Sequence, residues 1–395
     1  MPFASALSEH PDPAEATGEV VGSVLERLGA EPDLAALFCS PHHRDAVGDI
    51  AAAIRRMLRP GVLVGATGVA VLGGAREVED GPAVGLWAGR LATRPRPVRL
   101  EAVQTASGIA LHGLSGSTFE PGDTLMLLAD PFSLPVDAII DALAELEPPG
   151  RDGEPLAVPV VGGMASAATT PGGNRLVLDD EVLTAGGVGV ILPDSVATIA
   201  IVSQGCRPIG DPMIVTRAEG NLIMEIAGRP ALDRLDDLVR TAGADERTLL
   251  ASGLQIGIAI DEHRATFGRG DFLVRGVVGA DRRHRALAVG DRVDVGTTVQ
   301  FHVRDAVAAD EDLRTLMGHV ATGDAALVFT CNGRGQRLFG EPDHDARVVH
   351  DALGSPALAG MFCAGEIGPV GGRSFVHAFT ASVLLFRAGT VTPAQ

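Results

Sequence analysis

Three times in this chain an apolar run stops at a polar turn, gives way to a helical pattern and returns as a second apolar run. The first copy runs from Leu34 to Cys39, turns at Ser40 to His43, continues as a helix from about Asp45 to Leu58, and returns at Val62 to Gly65. The second has Leu125 to Ala129, a turn at Asp130 to Ser133, a helix from Val136 to Leu146, and Val158 to Val161. In the third, Ala325 to Phe329 opens into Cys331, Asn332, Gly333 and Gly335; a helix covers Asp343 to Leu353, and Leu358 to Cys363 ends in Ala364-Gly365-Glu366. Thirty-two residues separate Cys331 from Cys363 and Asp130 from Gly162, against 26 from Cys39 to Gly65. A switch between strand-like and helix-like periodicity at a fixed spacing marks one supersecondary unit used three times. Binding loops gather where such strands end, so the polar residues there are the first candidates for function.

The rest of the chain reads differently. Residues 1 to about 15 look like a loose leader, and Glu15 to Leu28 carries a helical apolar stripe ended by Gly29. Val98 to Val103 reads as an edge strand. Hairpin signals follow around Asp179-Asp180 and Glu219-Gly220-Asn221, with short strands at Ala197 to Gln204, Met213 to Ala218 and Leu222 to Ile226. A later meander is expected at Phe272 to Val278, Ala286 to Val289 and Thr298 to Arg304, and polar Thr241 to Arg247 reads as a boundary. The class this predicts is α/β, or α+β, with mixed sheets: repeated strand-turn-helix-strand units plus antiparallel hairpins. At 395 residues more than one domain is expected: a leader and first helix over 1–30, a first domain over 31–240 and a second over 245–387.

Composition excludes several kinds of function. The formal charge of −18 disfavours nucleic acid and anionic lipid as partners. No run approaches a membrane span, and the first twenty residues lack a signal peptide's basic and apolar regions. Cys39, Cys206, Cys331 and Cys363 stand far apart, as free thiols in a reducing cytoplasm would. The chain has no lysine, which removes both a Walker A motif and Schiff-base chemistry on a lysine amine.

The blocks "SQGCRPIG" and "VTRAEGN" between residues 203 and 221, with "CNGRG", "FGEPDHDA" and "GEIGPVGG" between 331 and 372, resemble the FIST family over nearly the whole chain. The resemblance places an N-terminal FIST domain at about 33 to 240 and a C-terminal one at about 245 to 375. It implies a sensory module for small ligands, amino acids among them, in intracellular signal transduction. Family members often carry a kinase, chemoreceptor or cyclic-nucleotide domain; this chain has no room for one beside its two FIST domains, so a separate output protein is expected. Some bacterial relatives look like haem-binding gas sensors. The family supplies no catalytic set to carry over.

The candidate ligand contacts are therefore polar residues at strand ends. Cys331, Asn332, Gly333 and Arg334 form a glycine turn whose N–H groups can hold an anion. Glu366 and Arg373 could answer the ammonium and carboxylate of an amino acid, or form a salt bridge with each other. His377 could orient a thiol. Gln204, Cys206 and Arg207 form a second polar insertion, with the N-terminal domain contributing there. No residue is assigned a catalytic role. Alternatives are a hydrolase or transferase using Cys331 or Cys363, a haem gas sensor, or a protein-interaction scaffold. No metal is expected, because His42-His43 is adjacent rather than spaced one helical turn. No cofactor is required, and haem stays open because one axial histidine suffices.

Overall fold

In a computed structural model, which describes residues 2–105, 108–114, 119–145, 158–264, 266–320, 323–354 and 356–388, each repeated stretch is a pair of parallel strands bridged by a helix. Leu34–Cys39 pairs with Val62–Thr67 through the helix Val47–Leu58. Thr124–Ala129 pairs with Val160–Met164 through Val136–Ala144; the expected end of that helix, Leu146, lies outside the described residues. Ala325–Cys331 pairs with Ala357–Cys363 through His344–Leu353. The fold is α/β with mixed sheets, as the periodicity predicts.

By contact density the chain divides into two compact units, one of residues 1–202, 314–376 and 381–395, the other of residues 203–313 and 377–380. The first unit is built on three mixed sheets, one around each crossover. Alternation along the paired strands sends Phe38, Val64, Met126, Val161, Phe329 and Met361 into one shared core. The residues between them face helices instead: Leu37 and Leu63 pack with Val20, Ile50 and Ile54, and Leu127 packs with Ile139 and Leu143. The helix Val47–Leu58 buries Val47, Ile50, Ala51, Ile54 and Leu58 at three- and four-residue spacing. Each buried Val, Ile or Leu among them contributes roughly 1.5–3 kcal/mol by leaving water.

Two expectations for this unit fail. The leader is structured: Phe3–Ser8 is a strand paired antiparallel with Val84–Gly89, and the following helix begins at Pro13 behind an Asp12 cap. The stretch "FASALS" has no β-branched residue, so local propensity is silent. Tertiary packing recruits it, with Phe3 buried 5.6 Å from the Trp87 ring and 5.9 Å from Phe386. The expected edge strand Val98 to Val103 is Arg96–Thr105, interior to its sheet because the hairpin strand Gly108–His112 covers it.

In the second unit, six strands pair antiparallel in the order Cys206–Glu219, Thr298–Arg304, Leu254–Ala259, Phe272–Asp281, Ala286–Val289 and Leu222–Ile226. The last pairs back onto the first, closing a barrel around Val215, Ile223, Ile256, Leu287, Val299 and Phe301. Thr241 to Arg247 lies inside this unit, where it joins the helices Ala231–Thr241 and Ala244–Ser252. Cys206 and Arg207, read from sequence as a polar insertion at a strand end, open the barrel strand Cys206–Glu219 itself. Among the described residues no helix is long and apolar enough to cross a membrane.

Candidate functional site

The second strands of the three crossovers end together. Ser166, just beyond the second, donates its N–H to the carbonyl of Thr67 (3.1 Å) and its hydroxyl to the carbonyl of Phe362 (2.5 Å). The first strands end differently from one another. At the first crossover Ser40 Oγ accepts from the Ala83 N–H at 2.9 Å. At the second, Asp130 accepts from Ser133 Oγ (2.6 Å) and Asn174 Nδ2 (3.0 Å). Both ends close on the protein itself.

The third is built around a buried charge. Asn332 N–H extends the ladder to the Cys363 carbonyl at 3.0 Å, and Arg334 N–H turns back onto the Cys331 carbonyl at 2.9 Å. Gly335, at φ +60°, redirects the backbone away from the strand. Arg334 points inward and is fully buried. Its Nε and Nη2 each donate to Asp345 at 2.7 Å, a bidentate pair. Asp345 also accepts from Thr330 Oγ1 at 2.5 Å and lies 2.9 Å from His344 Nδ1, whose ring stacks on Phe339. Burial alone would raise the Asp345 pKa; the Arg334 guanidinium overrides it and holds the carboxyl well below the usual range.

A second carboxyl reaches this cluster from the hairpin strand Arg76–Val78. Glu77 is buried, and its Oε1 accepts from the Ala346 N–H at 2.9 Å in the first turn of the helix His344–Leu353. Burial, and then the charge of Asp345, push it up to about 8, so it is neutral where Asp345 is ionised. Sequence reasoning missed Glu77 because its segment reads only as the approach to a turn at Asp80-Gly81.

The structure brings together Cys331, Arg334 and Glu366, and adds Cys363. Glu366 is buried opposite Gly163 in the neighbouring strand, and a Cβ on Gly163 would sit 2.2 Å from Cys363 Sγ. Cys331 and Glu366 both act electrostatically on Arg334. With two of its nitrogens on Asp345, Arg334 keeps Nη1 buried without a hydrogen-bond partner among the described residues. Gly333 N–H donates to Cys331 Sγ at 3.4 Å, and Asn332 is exposed. Arg373 is also exposed, its guanidinium 5.5 Å from the Phe375 ring. The remaining candidates belong to the other unit. There Gln204 donates to the Phe272 carbonyl at 3.0 Å, Arg207 pairs with Asp305 at 2.8 Å, and Cys206 and His377 are buried.

Among the described residues no group of three or more His, Cys, Asp or Glu is placed to hold a metal. The described clefts lie elsewhere, about 490 Å³ beside Asp233 and Asp237, 340 Å³ beside Ile109 and Phe132, and 270 Å³ beside Arg99 and Thr184. Among the described residues none of the three is lined by a histidine.

A FIST N domain model matches residues 33–229 and a FIST C domain model matches 231–369. This chain belongs to the FIST family. FIST domains are associated with sensing in signal transduction. The FIST protein is 43% identical over 394 residues to the uncharacterized protein Rv0628c of Mycobacterium tuberculosis, covering 98% of this chain and all of that one. It is 44% identical over 383 residues to the uncharacterized protein Mb0898c of Mycobacterium bovis, covering 95% and 96% of the two. The two FIST stretches do not coincide with the compact units. FIST N supplies two crossovers and two barrel strands, and FIST C supplies the third crossover and the other four.

Proposed function

We propose that this FIST protein is a cytoplasmic sensory protein that binds a small polar metabolite, an amino acid or close relative, at the strand ends of the third crossover. Arg334 Nη1 would take the ligand carboxylate, and Glu366 would take the ammonium. The observation that carries this reading is the orphan nitrogen of Arg334, a fully buried charged donor without a hydrogen-bond partner among the described residues. A buried donor left unsatisfied costs about 1–3 kcal/mol, more when charged, and an anionic ligand recovers that cost. Burial of Glu366 in the same cluster supports a ligand carrying both charges. Binding would shift the population of conformers that a separate output protein recognises.

The test is a thermal-shift screen of the whole chain against amino acids, their decarboxylated amines and their deaminated acids. A ligand at a hundredfold excess over its Kd stabilises the native state by about 2.7 kcal/mol. The expected result is a dose-dependent shift with amino acids that neither half-ligand reproduces, and its loss in Glu366→Gln. An unchanged transition at saturating concentrations of all three classes would refute the reading.

A further inference from the structure

Cys331 and Cys363 end the two strands of the third crossover and are direct register partners. Neighbouring strands lie about 4.8 Å apart, within the roughly 4.4–6.8 Å between Cα atoms that a disulfide spans. Partners in register project to the same face. Here it is the inner one, where Phe329, two residues before Cys331, and Cys363 itself join the shared core. Both residues are thiols in the structure. Among the described residues the other two cysteines have no such neighbour: Cys39 is opposite Thr67 and Val84, and Cys206 is opposite Arg304.

The two thiols sit in unlike surroundings. Cys331 receives the Gly333 N–H at 3.4 Å, lies beside the Arg334 guanidinium and is buried but keeps 7 % of its surface exposed. Cys363 is fully buried, and burial, followed by the charges of Glu366 and Cys331, raises its pKa well above that of a free thiol. Cys331 is thus the thiol within reach of an oxidant, and Cys363 stays protonated behind it.

We propose that Cys331 and Cys363 are a redox pair, which hydrogen peroxide closes into a disulfide across the strand ends. The Cys331 thiolate attacks one peroxide oxygen; an S–O bond forms, the O–O bond breaks, and the departing oxygen leaves as water after taking a proton. The sulfur of Cys363 then attacks the Cys331 sulfenic acid. An S–S bond forms, the S–O bond breaks, and hydroxide leaves as water with the Cys363 proton. Two thiols are oxidised and one peroxide is reduced to two waters. The pair shares its strand ends with the proposed ligand site, but its chemistry does not require that ligand.

The test treats the folded full chain with peroxide, removes the peroxide, unfolds the protein in guanidinium so that every remaining thiol meets a maleimide, and maps the digest by mass spectrometry without reductant. Two of the four thiols should become unreactive, a peptide joining Cys331 to Cys363 should appear, and dithiothreitol should reverse both. Cys331→Ser should slow thiol loss about tenfold or more, and Cys363→Ser should leave a sulfenic acid on Cys331 that dimedone traps. Trp87 fluorescence reports whether each variant keeps its core; if one does not, the wild-type peptide map alone decides. Four thiols still reactive after peroxide, a link between other cysteines, or irreversible oxidation of Cys331 without a disulfide would overturn the proposal.

Discussion

Replacing Glu77 by Gln should remove a pH dependence of stability that the native protein carries. In the folded state the carboxyl titrates at about 8, against 4.5 for the free group, because burial and the ionised Asp345 beside it penalise its charge. Asp343 and Glu79 add further negative charge, while the Ala346 N–H works in the opposite direction. Between those two pH values the unfolded chain has released the proton and the native chain has kept it. Stability is therefore full in acid, falls as pH rises through the window, and levels off above the folded value. The slope is about 1.4 kcal/mol per pH unit, which amounts to about 2–3 kcal/mol between about pH 5.5 and about pH 7.5. Glutamine keeps the acceptor for Ala346 and cannot ionise. The assay is urea denaturation followed at Trp87, the only tryptophan, which is buried in the same compact unit as Glu77. Comparing the two proteins pH by pH cancels the titrating groups that do not interact with Glu77. The wild type should lose ground steadily to Glu77→Gln across the window. A difference in stability that stays constant with pH would refute the assignment of the retained proton to Glu77.

Two further outcomes follow from the same unit. Arg334→Met leaves the Asp345 carboxylate buried without its bidentate partner and should cost about 3–5 kcal/mol in the Trp87 transition; adding Asp345→Asn should recover part of that loss. Phe3→Ala removes a buried ring packed against Trp87 and Phe386 and should cost about 3–5 kcal/mol, with a change in the Trp87 emission of the native state.

The parts of this protein legible in its sequence are those whose signal is local. The three crossovers announce themselves because apolar runs, polar turns and helical spacing follow one another within about thirty residues. Several barrel strands, Leu222–Ile226, Ala286–Val289 and Thr298–Arg304, lie where alternation and turn residues place them. Closure of the barrel was not legible, because Cys206–Glu219 begins with polar residues and its pairing partners lie along much of the second unit. The strand Phe3–Ser8 is held by packing rather than propensity. At the candidate site, the concentration of polar groups where strands end led to Cys331, Arg334 and Glu366. The same logic favoured Arg373, which the structure leaves exposed. Arg334 reads as a loop residue until the helix carrying Asp345 folds over it. Glu77 reads only as the approach to a turn until its hairpin pairs with a strand nearly three hundred residues later.

That late pairing bears on how the protein is made. The hairpin Val71–Val78 finds its sheet only when Ala357–Cys363 has emerged from the ribosome, and Ala325–Cys331 waits for Thr380–Phe386 beyond it. Until then the earlier strands expose an open edge and an apolar face, the condition in which nascent chains associate wrongly. The last edge is therefore covered only once Thr380–Phe386 has emerged, so the unit cannot close before that strand is available. A fragment cut at the junction between the two FIST stretches would remain in that exposed state, since neither piece contains all the strands of either unit.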